Sequence, residues 1–391
     1  MVNPFQFAKV PRVVFSIGSI SKLPDFIGLS GRRLALVTGG SSFLNSVPGG
    51  RLLDDLKTGG IECHIVRILG EPSPATIDDA VKALKSFYVE VVAAIGGGSV
   101  LDAGKAISAM VIQSESVERY LEGVGDLEHP GTRLPLIAVP TTSGTGSEAT
   151  KNAVISRTGP DGFKKSLRHD NFVPDIALVD PQLTLNCPPE ITAASGMDCF
   201  TQLTEAYLSD KAFEYTDALA LEGLKAVKSS LRKCFHDGGD IEARAGMSLA
   251  ALTSGICLAN AGLGVVHGFA SSVGGFIDIP HGLLCGTLMA RVNEVNVREL
   301  RKKDGNGKAL KKYSQLGKLF LGEGKGSDDF YIDGFLSYLF EISDELGLKI
   351  LRGTGLNVKD LAEICSRTEN KNNPVKLSPD QLQEILVPAF I

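Results

Sequence analysis

At 391 residues the chain is long for one hydrophobic core and predicts two domains, and its 43% hydrophobic and 22% charged residues are those of a globular protein. A formal net charge of -5, with no run of like charge longer than Arg301-Lys302-Lys303, excludes a strongly basic surface, so neither nucleic acid nor an anionic membrane is an expected partner. No apolar stretch approaches the roughly 20 residues of a membrane helix, and Met1 to Val14 lacks the pattern of a secretory leader, so a cytoplasmic location is expected.

From about residue 30, short apolar runs alternate with helical periodicity, the pattern of βαβ units on a largely parallel sheet. Strands are predicted at 34–38, 63–69, 89–95, 134–139 and 176–180, helices at 52–58, 76–86 and from about Val100, and a β-ribbon at 152–156 and 165–168. After Cys187-Pro188-Pro189-Glu190 the periodicity is almost wholly helical, at 198–208, 213–235, 241–259, 283–297, 308–320, 329–346 and 379–386. The expected domains are therefore 1–185 and 186–391, with surface loops at Asp304–Gly307, Gly322–Ser327 and Glu369–Pro374. Cys63, Cys187, Cys199, Cys234, Cys257, Cys285 and Cys365 form no CxxC pair and read as reduced thiols.

Gly96-Gly97-Gly98-Ser99-Val100-Leu101-Asp102 falls between a strand and a helix, where glycines let backbone N–H groups approach a pyrophosphate and the helix N-terminus favours its charge. A flexible turn has the same composition, and the spacing is not the GxGxxG fingerprint. Pro140-Thr141-Thr142-Ser143-Gly144-Thr145-Gly146-Ser147 follows another strand and adds hydroxyls at the same sheet edge; a Ser/Thr-rich connector is its plainer reading. Asp198 and Gln202 share a helix face, and with His267 and His281 they offer oxygen and nitrogen donors for a divalent ion. Asp198 could equally cap a helix, Gln202 be solvated, His267 be a core residue and His281 a turn residue.

These segments, with Glu71-Pro72-Ser73-Pro74, Asp180-Pro181, Gly262-Leu263-Gly264-Val265-Val266-His267-Gly268 and Pro280-His281-Gly282, resemble in type and order the iron-containing (metal-dependent, type III) alcohol dehydrogenases, over roughly residues 8–388. The resemblance implies an α/β dinucleotide-binding domain and an all-α C-terminal domain, the fold related to dehydroquinate synthase, with cofactor and metal in the cleft between. It places Gly97, Gly98, Ser99 and Asp102 at the pyrophosphate turn and Thr141, Thr142 and Thr145 along the nucleotide cleft. Lys164, ten residues before Pro174, falls at the cofactor ribose, and Asp198, His267 and His281 on one divalent metal, iron, zinc or other. It also implies hydride transfer between NAD(P) and a small alcohol or aldehyde, and a homodimer or larger homo-oligomer.

Three positions depart from the family pattern where metal, proton transfer and cofactor choice are concerned. Gln202 stands where a fourth histidine ligand is typical, and an amide oxygen is the poorer donor. Ser271 stands where many members carry a proton-moving histidine. Gly39, followed by Gly40, Ser41 and Ser42, replaces an aspartate common in NAD-specific members, which favours NADP(H) over NAD(H). Leu258 occupies a place commonly held by an aromatic residue. Three alternatives remain open at this point: a metal-independent reductase similar to maleylacetate reductases, a lyase similar to dehydroquinate synthase, and a non-catalytic nucleotide-binding descendant.

Overall fold

The computed structural model describes residues 4–159, 161–303, 307–348, 351 and 353–390. The loop expected at Asp304–Gly307 lies outside them except for Gly307, as do Met1–Asn3 and Ile391 of the expected domains. Among the described residues, the strands are β1 (Arg12–Phe15), β2 (Arg33–Thr38), β3 (Glu62–Arg67), β4 (Val91–Gly96), β5 (Leu136–Pro140), β6 (Asn152–Arg157), β7 (Phe163–Arg168) and β8 (Ile176–Val179). Six of them form one sheet in the order β1-β8-β5-β4-β2-β3, every neighbouring pair parallel, while β6 and β7 make an antiparallel ribbon.

Parallel neighbours need crossovers, which α1 (Leu23–Gly28), α2 (Val47–Thr58), α3 (Pro74–Phe87) and α4 (Gly98–Met110) help to supply. All six residues of β4 are buried, and they divide between two cores: Val92 and Ala94 join one, Val91, Ala93 and Ile95 the other. A strand covered on both faces has no polar side to show, which is why it reads as an unbroken apolar run. The carboxyl ends of β2, β4 and β5 come out side by side, with Thr38 opposite Ile95 and Gly96 opposite Pro140.

The second half is helical: α5 (Pro189–Leu208), α6 (Glu214–His236), α7 (Ile241–Ala261), α8 (Val265–Phe276), α9 (His281–Lys303), α10 (Lys308–Leu321), α11 (Asp328–Glu345), α12 (Val358–Arg367) and α13 (Pro379–Phe390). From Gly196 to Leu208 every residue of α5 is buried, so this helix is the centre of its core rather than a half-exposed face. No single helix among the described residues is long and apolar enough to cross a membrane.

Four of these elements were not anticipated, the six-residue α1 among them. β1 is a four-residue edge strand, too short for a pattern of alternation to show. α8 contains Gly268, Gly274 and Gly275, which disfavour a helix locally; tertiary packing overrides this, since a Cβ at Gly268 would strike the backbone oxygen of Glu369. α12 carries a capping box, Asn357 with Asp360, and buries Leu361, Ile364 and Cys365. Helix starts also came earlier than expected: α5 at Pro189 instead of 198, α4 at Gly98, and α2 at Val47 behind the Ser46 cap.

The two halves touch where Gly255 of α7 meets the backbone of Gly146, whose φ of 62° is in the left-handed region. A Cβ at 255 would strike the Gly146 carbonyl oxygen. Gly255→Ala is therefore expected to cost about 1–3 kcal/mol and shift the 140–147 loop; an unchanged urea midpoint would sink this account.

Candidate functional site

A cavity of about 1380 Å³ opens between the sheet edge and the helices, lined by Gly97, Gly98, Ser99, Asp102, Thr142, Thr145, Lys164, Asp198, Gln202, His267 and His281. Most of the expected cofactor and metal residues thus share one cleft. Gly39, Ser41, Ser42 and Thr141 do not line it: Gly39 follows β2 beside the glycine turn, Ser41 and Ser42 are exposed beyond it, and Thr141 bonds back through its N–H to the Gly96 carbonyl at 2.9 Å.

The N-terminus of α4 has no side-chain cap, so its first N–H groups face the cleft without a competing oxygen. Thr142 and Thr145 from the second loop lean on the first: a Cβ at Gly97 would lie 3.3 Å from Thr142 Oγ1, and one at Gly98 only 2.6 Å from Thr145 Cγ2. Glycine at 98 is thus required by close approach. On the wall of the cleft, Lys164 of β7 lies 3.2 Å from Glu71 Oε1, which ties the Glu71-Pro72 turn to the ribbon.

Opposite these loops, four side chains converge from three helices. Asp198 on α5 is almost fully buried, and its Oδ1 lies 3.3 Å from His267 Nε2 and 3.5 Å from His281 Nε2. Cys285, one turn past His281 on α9, places Sγ 3.8 Å from both Nε2 atoms. One ligand atom from each of Asp198, His267, His281 and Cys285 lies within 4.8 Å of all the others. Behind them, His267 Nδ1 donates to Glu205 Oε2 at 2.7 Å, while Glu205 Oε1 accepts the Val266 N–H. That bond puts the imidazole proton on Nδ1 and leaves Nε2 turned to the cluster.

Gln202 lies at the same place with its amide otherwise engaged. Its Oε1 accepts from Ser254 Oγ at 3.1 Å, and its Nε2 faces Asp198 Oδ2 at 3.5 Å. Ser271 bonds to the His267 carbonyl and borders the cleft, as does Leu258. Sequence reasoning passed over Glu205 and Cys285. The signal for Glu205 was its spacing, seven residues after Asp198 on the same helix face; that for Cys285 was its place four residues after His281.

The charges at the cluster are strongly perturbed. Burial would raise the Asp198 carboxyl, yet the facing His281 and His267 hold it below its ordinary range. Burial pushes His281 down to about 3 against the pull of Asp198, with Lys164 and His267 adding to the fall, so this ring is neutral at physiological pH. Burial would also lower His267, but Cys285, Asp198 and Glu205 outweigh it and hold the ring well above the usual histidine value. His281 Nδ1 is buried with no hydrogen-bond partner among the described residues.

Beneath the two loops, Lys105 is fully buried and bonds Thr150 Oγ1 at 2.9 Å, the Asn152 carbonyl at 2.6 Å and Asp102 at 3.1 Å. Asp102 in turn accepts from Ser147 Oγ and the Val154 N–H, so it holds the loops together as well as lining the cleft. Glu148 is buried beside this network with Oε1 unpartnered, and burial pushes its carboxyl up to about 7 against its own backbone N–H and the Lys105 charge. The folded protein therefore holds this proton more tightly than the unfolded chain, for which 4.5 is the reference. Stability from the neutral form is full below about 4.5 and is lost as pH rises to about 7, on the order of 3 kcal/mol in all. Glu148→Gln should remove that fall; urea unfolding of both proteins across this range checks it, and a pH-independent difference between them would refute it.

With this geometry the comparisons with known proteins agree. Profiles of "Iron-containing alcohol dehydrogenase" and of "Fe-containing alcohol dehydrogenase family, C-terminal" match residues 11–181 and 192–390. The chain is 29% identical to alcohol dehydrogenase 4 of Saccharomyces cerevisiae (strain YJM789) over 97% of each chain. It is 31% identical to 1,3-propanediol dehydrogenase of Citrobacter freundii, over 70% of this chain and 72% of that one. A solved 1,3-propanediol oxidoreductase superposes with a TM-score of 0.88 at 26% identity, covering 99% of this chain and 100% of that one. Matched along both its sheet-bearing and its helical half, the chain belongs to the iron-containing alcohol dehydrogenase family.

Proposed function

We propose that the protein interconverts a small alcohol with its aldehyde or ketone, using NADP(H) and a divalent metal held by Asp198, His267 and His281. Residues 1–185 would bind the cofactor and 186–391 the metal. The observation that carries this reading is that Asp198, His267 and His281 converge on one point of the same cleft that the uncapped α4 N-terminus and Thr142 and Thr145 border. The donor set fits such an ion: one buried carboxylate and two imidazoles with Nε2 turned inward suit a borderline divalent cation. When bound, the ion supplies Lewis acidity and the nicotinamide supplies or accepts a hydride.

The chain's own residues do the positioning. Gly97, Gly98 and Ser99 receive the pyrophosphate, Thr142 and Thr145 the nucleotide, and Lys164 the ribose, with Asp102 bracing both loops from Ser147. Glu205 orients His267 through Nδ1, and Gln202 bonds Asp198 from behind. Ser271 offers no imidazole, so proton transfer would fall to water in the open cleft. The two relatives named for 1,3-propanediol support a small aliphatic alcohol as the substrate class.

Asp198 argues against the metal-independent reductase, because a buried carboxylate facing two imidazoles is a cation site that such an enzyme has no use for. The test is direct. His267→Ala and His281→Ala should each abolish both metal binding and turnover, and stripping the protein with chelator should abolish NADPH-linked aldehyde reduction until Zn, Fe, Mn or Co is returned. Undiminished turnover by metal-free protein would overturn the reading. Because Gly39, Ser41 and Ser42 present no carboxylate to a 2'-phosphate, kcat/KM should favour NADPH; a preference for NADH of about tenfold, roughly 1.4 kcal/mol, would refute that part alone.

A further inference from the structure

The position at which the family pattern has a fourth histidine is Gln202, and its amide is committed elsewhere. A carboxylate only accepts hydrogen bonds, so the NH2 end of Gln202 belongs toward Asp198, and the oxygen is turned away to Ser254 Oγ at 3.1 Å, a hydroxyl shared with the Ala251 carbonyl at 2.8 Å. An amide nitrogen, its lone pair delocalised, is not a metal donor. A different donor faces the same point from α9.

Cys285 and His281 are four residues apart on that helix, so their side chains lie on one face. Sγ stands 3.8 Å from each of the two Nε2 atoms, and these stand 3.3 and 3.5 Å from Asp198 Oδ1. A tetrahedral ion with metal–sulfur bonds of about 2.3 Å and metal–nitrogen or –oxygen bonds of about 2.0–2.1 Å has donor–donor edges of roughly 3.3–3.6 Å. Four of the six edges are thus close to those of a coordination shell, and all six lie within 4.8 Å. Cys285 is fully buried and outside the cavity lining, while Asp198, His267 and His281 border the cavity, so a thiolate would bind from the floor and a substrate oxygen would enter from the cleft as a fifth ligand.

We propose that Cys285, as a thiolate, is the fourth protein ligand of the metal, in place of Gln202. This rests on the reading that Asp198, His267 and His281 hold an ion. The thiol proton passes to solvent on coordination, and the resulting Asp-His-His-Cys set selects zinc or another thiophilic ion over magnesium and manganese. Gln202 is then a positioning residue for Asp198.

The experiment is cobalt(II) titration of the full-length protein after removal of metal with chelator. Wild-type protein should develop the intense near-ultraviolet charge-transfer band of a thiolate–cobalt bond, Gln202→Ala should keep it, and Cys285→Ser should bind cobalt without it. In chelator competition Cys285→Ser should also hold zinc more weakly, by at least the about 10–100-fold that follows loss of even an outer partner. Cobalt bound by the wild type without that band, or a band that survives in Cys285→Ser, overturns the proposal and leaves the three-ligand reading standing. No cobalt bound by the wild type overturns both. If Cys285→Ser does not fold, the wild-type spectrum decides alone.

Discussion

The arrangement depends on one buried helix face. Asp198, Gln202 and Glu205 follow one another along α5 at intervals of four and three residues, and each touches a different part of the site: Asp198 the two imidazoles, Gln202 the Ser254 hydroxyl, Glu205 the far nitrogen of His267. A polar face inside a helix that is buried all round can persist only if every group on it is answered. α7, α8 and α9 supply those answers, which fixes their placement around α5 more tightly than apolar packing would, since packing tolerates small slides and hydrogen bonds do not. Gly196 serves the same end from the apolar side, because a Cβ there would strike Leu231 of α6.

Ser254 connects this face to the other half of the molecule. Its hydroxyl lies 3.1 Å from Gln202 Oε1 and 3.3 Å from the Gly144 carbonyl in the second loop of the sheet edge. One turn of α7 thus touches both the donor cluster and the loop that faces the glycine turn, and the adjacent Gly255 lets the backbones meet. The sheet contributes what a parallel sheet always can, a row of carboxyl ends with loops side by side. The contact with α7, together with the approach of Gly162 to Gly275 of α8 and of Gly144 to Ser195 of α5, turns that row into one wall of a two-walled cleft.

How much of this could be read beforehand followed from where each signal lies along the chain. β4 and β5 were legible because burial on both faces leaves an unbroken apolar run, and the helices α6, α10 and α11 because one face carries an apolar stripe. The order of the metal and nucleotide motifs carried the family. α8 was missed because its glycines, needed for close approach to Glu369 at Gly268 and to Lys164 and Phe163 at Gly274 and Gly275, erase the local preference on which helix reading rests. Gln202 illustrates the deeper limit: its commitment to Ser254 spans 52 residues, so nothing near it in the chain shows where its oxygen goes. Cys285 was counted with the other thiols for want of a CxxC partner, although its spacing from His281 already placed the two on one face.

The electrostatics of the cleft explain why its two ends differ. Asp198 and Glu205 are both buried and both face His267, so two carboxylates meet one imidazole in a region where an uncompensated charge costs several kcal/mol. A proton on His267 answers one of them; a divalent cation answers both without it, and the two compete for the same Nε2 lone pair. His281, close by, is driven the other way, toward the neutral form, by burial and by the Lys164 ammonium, so it keeps a free lone pair for the same point. Near the loops the bias reverses. There the N–H groups of α4 favour an anion. A ligand that carries phosphate at one end and seats an electron-rich oxygen near the cation at the other meets both demands at once, and in only one orientation. On the function proposed above, the direction in which a dinucleotide and its substrate would lie follows from charge placement, before any contact with the substrate itself is specified.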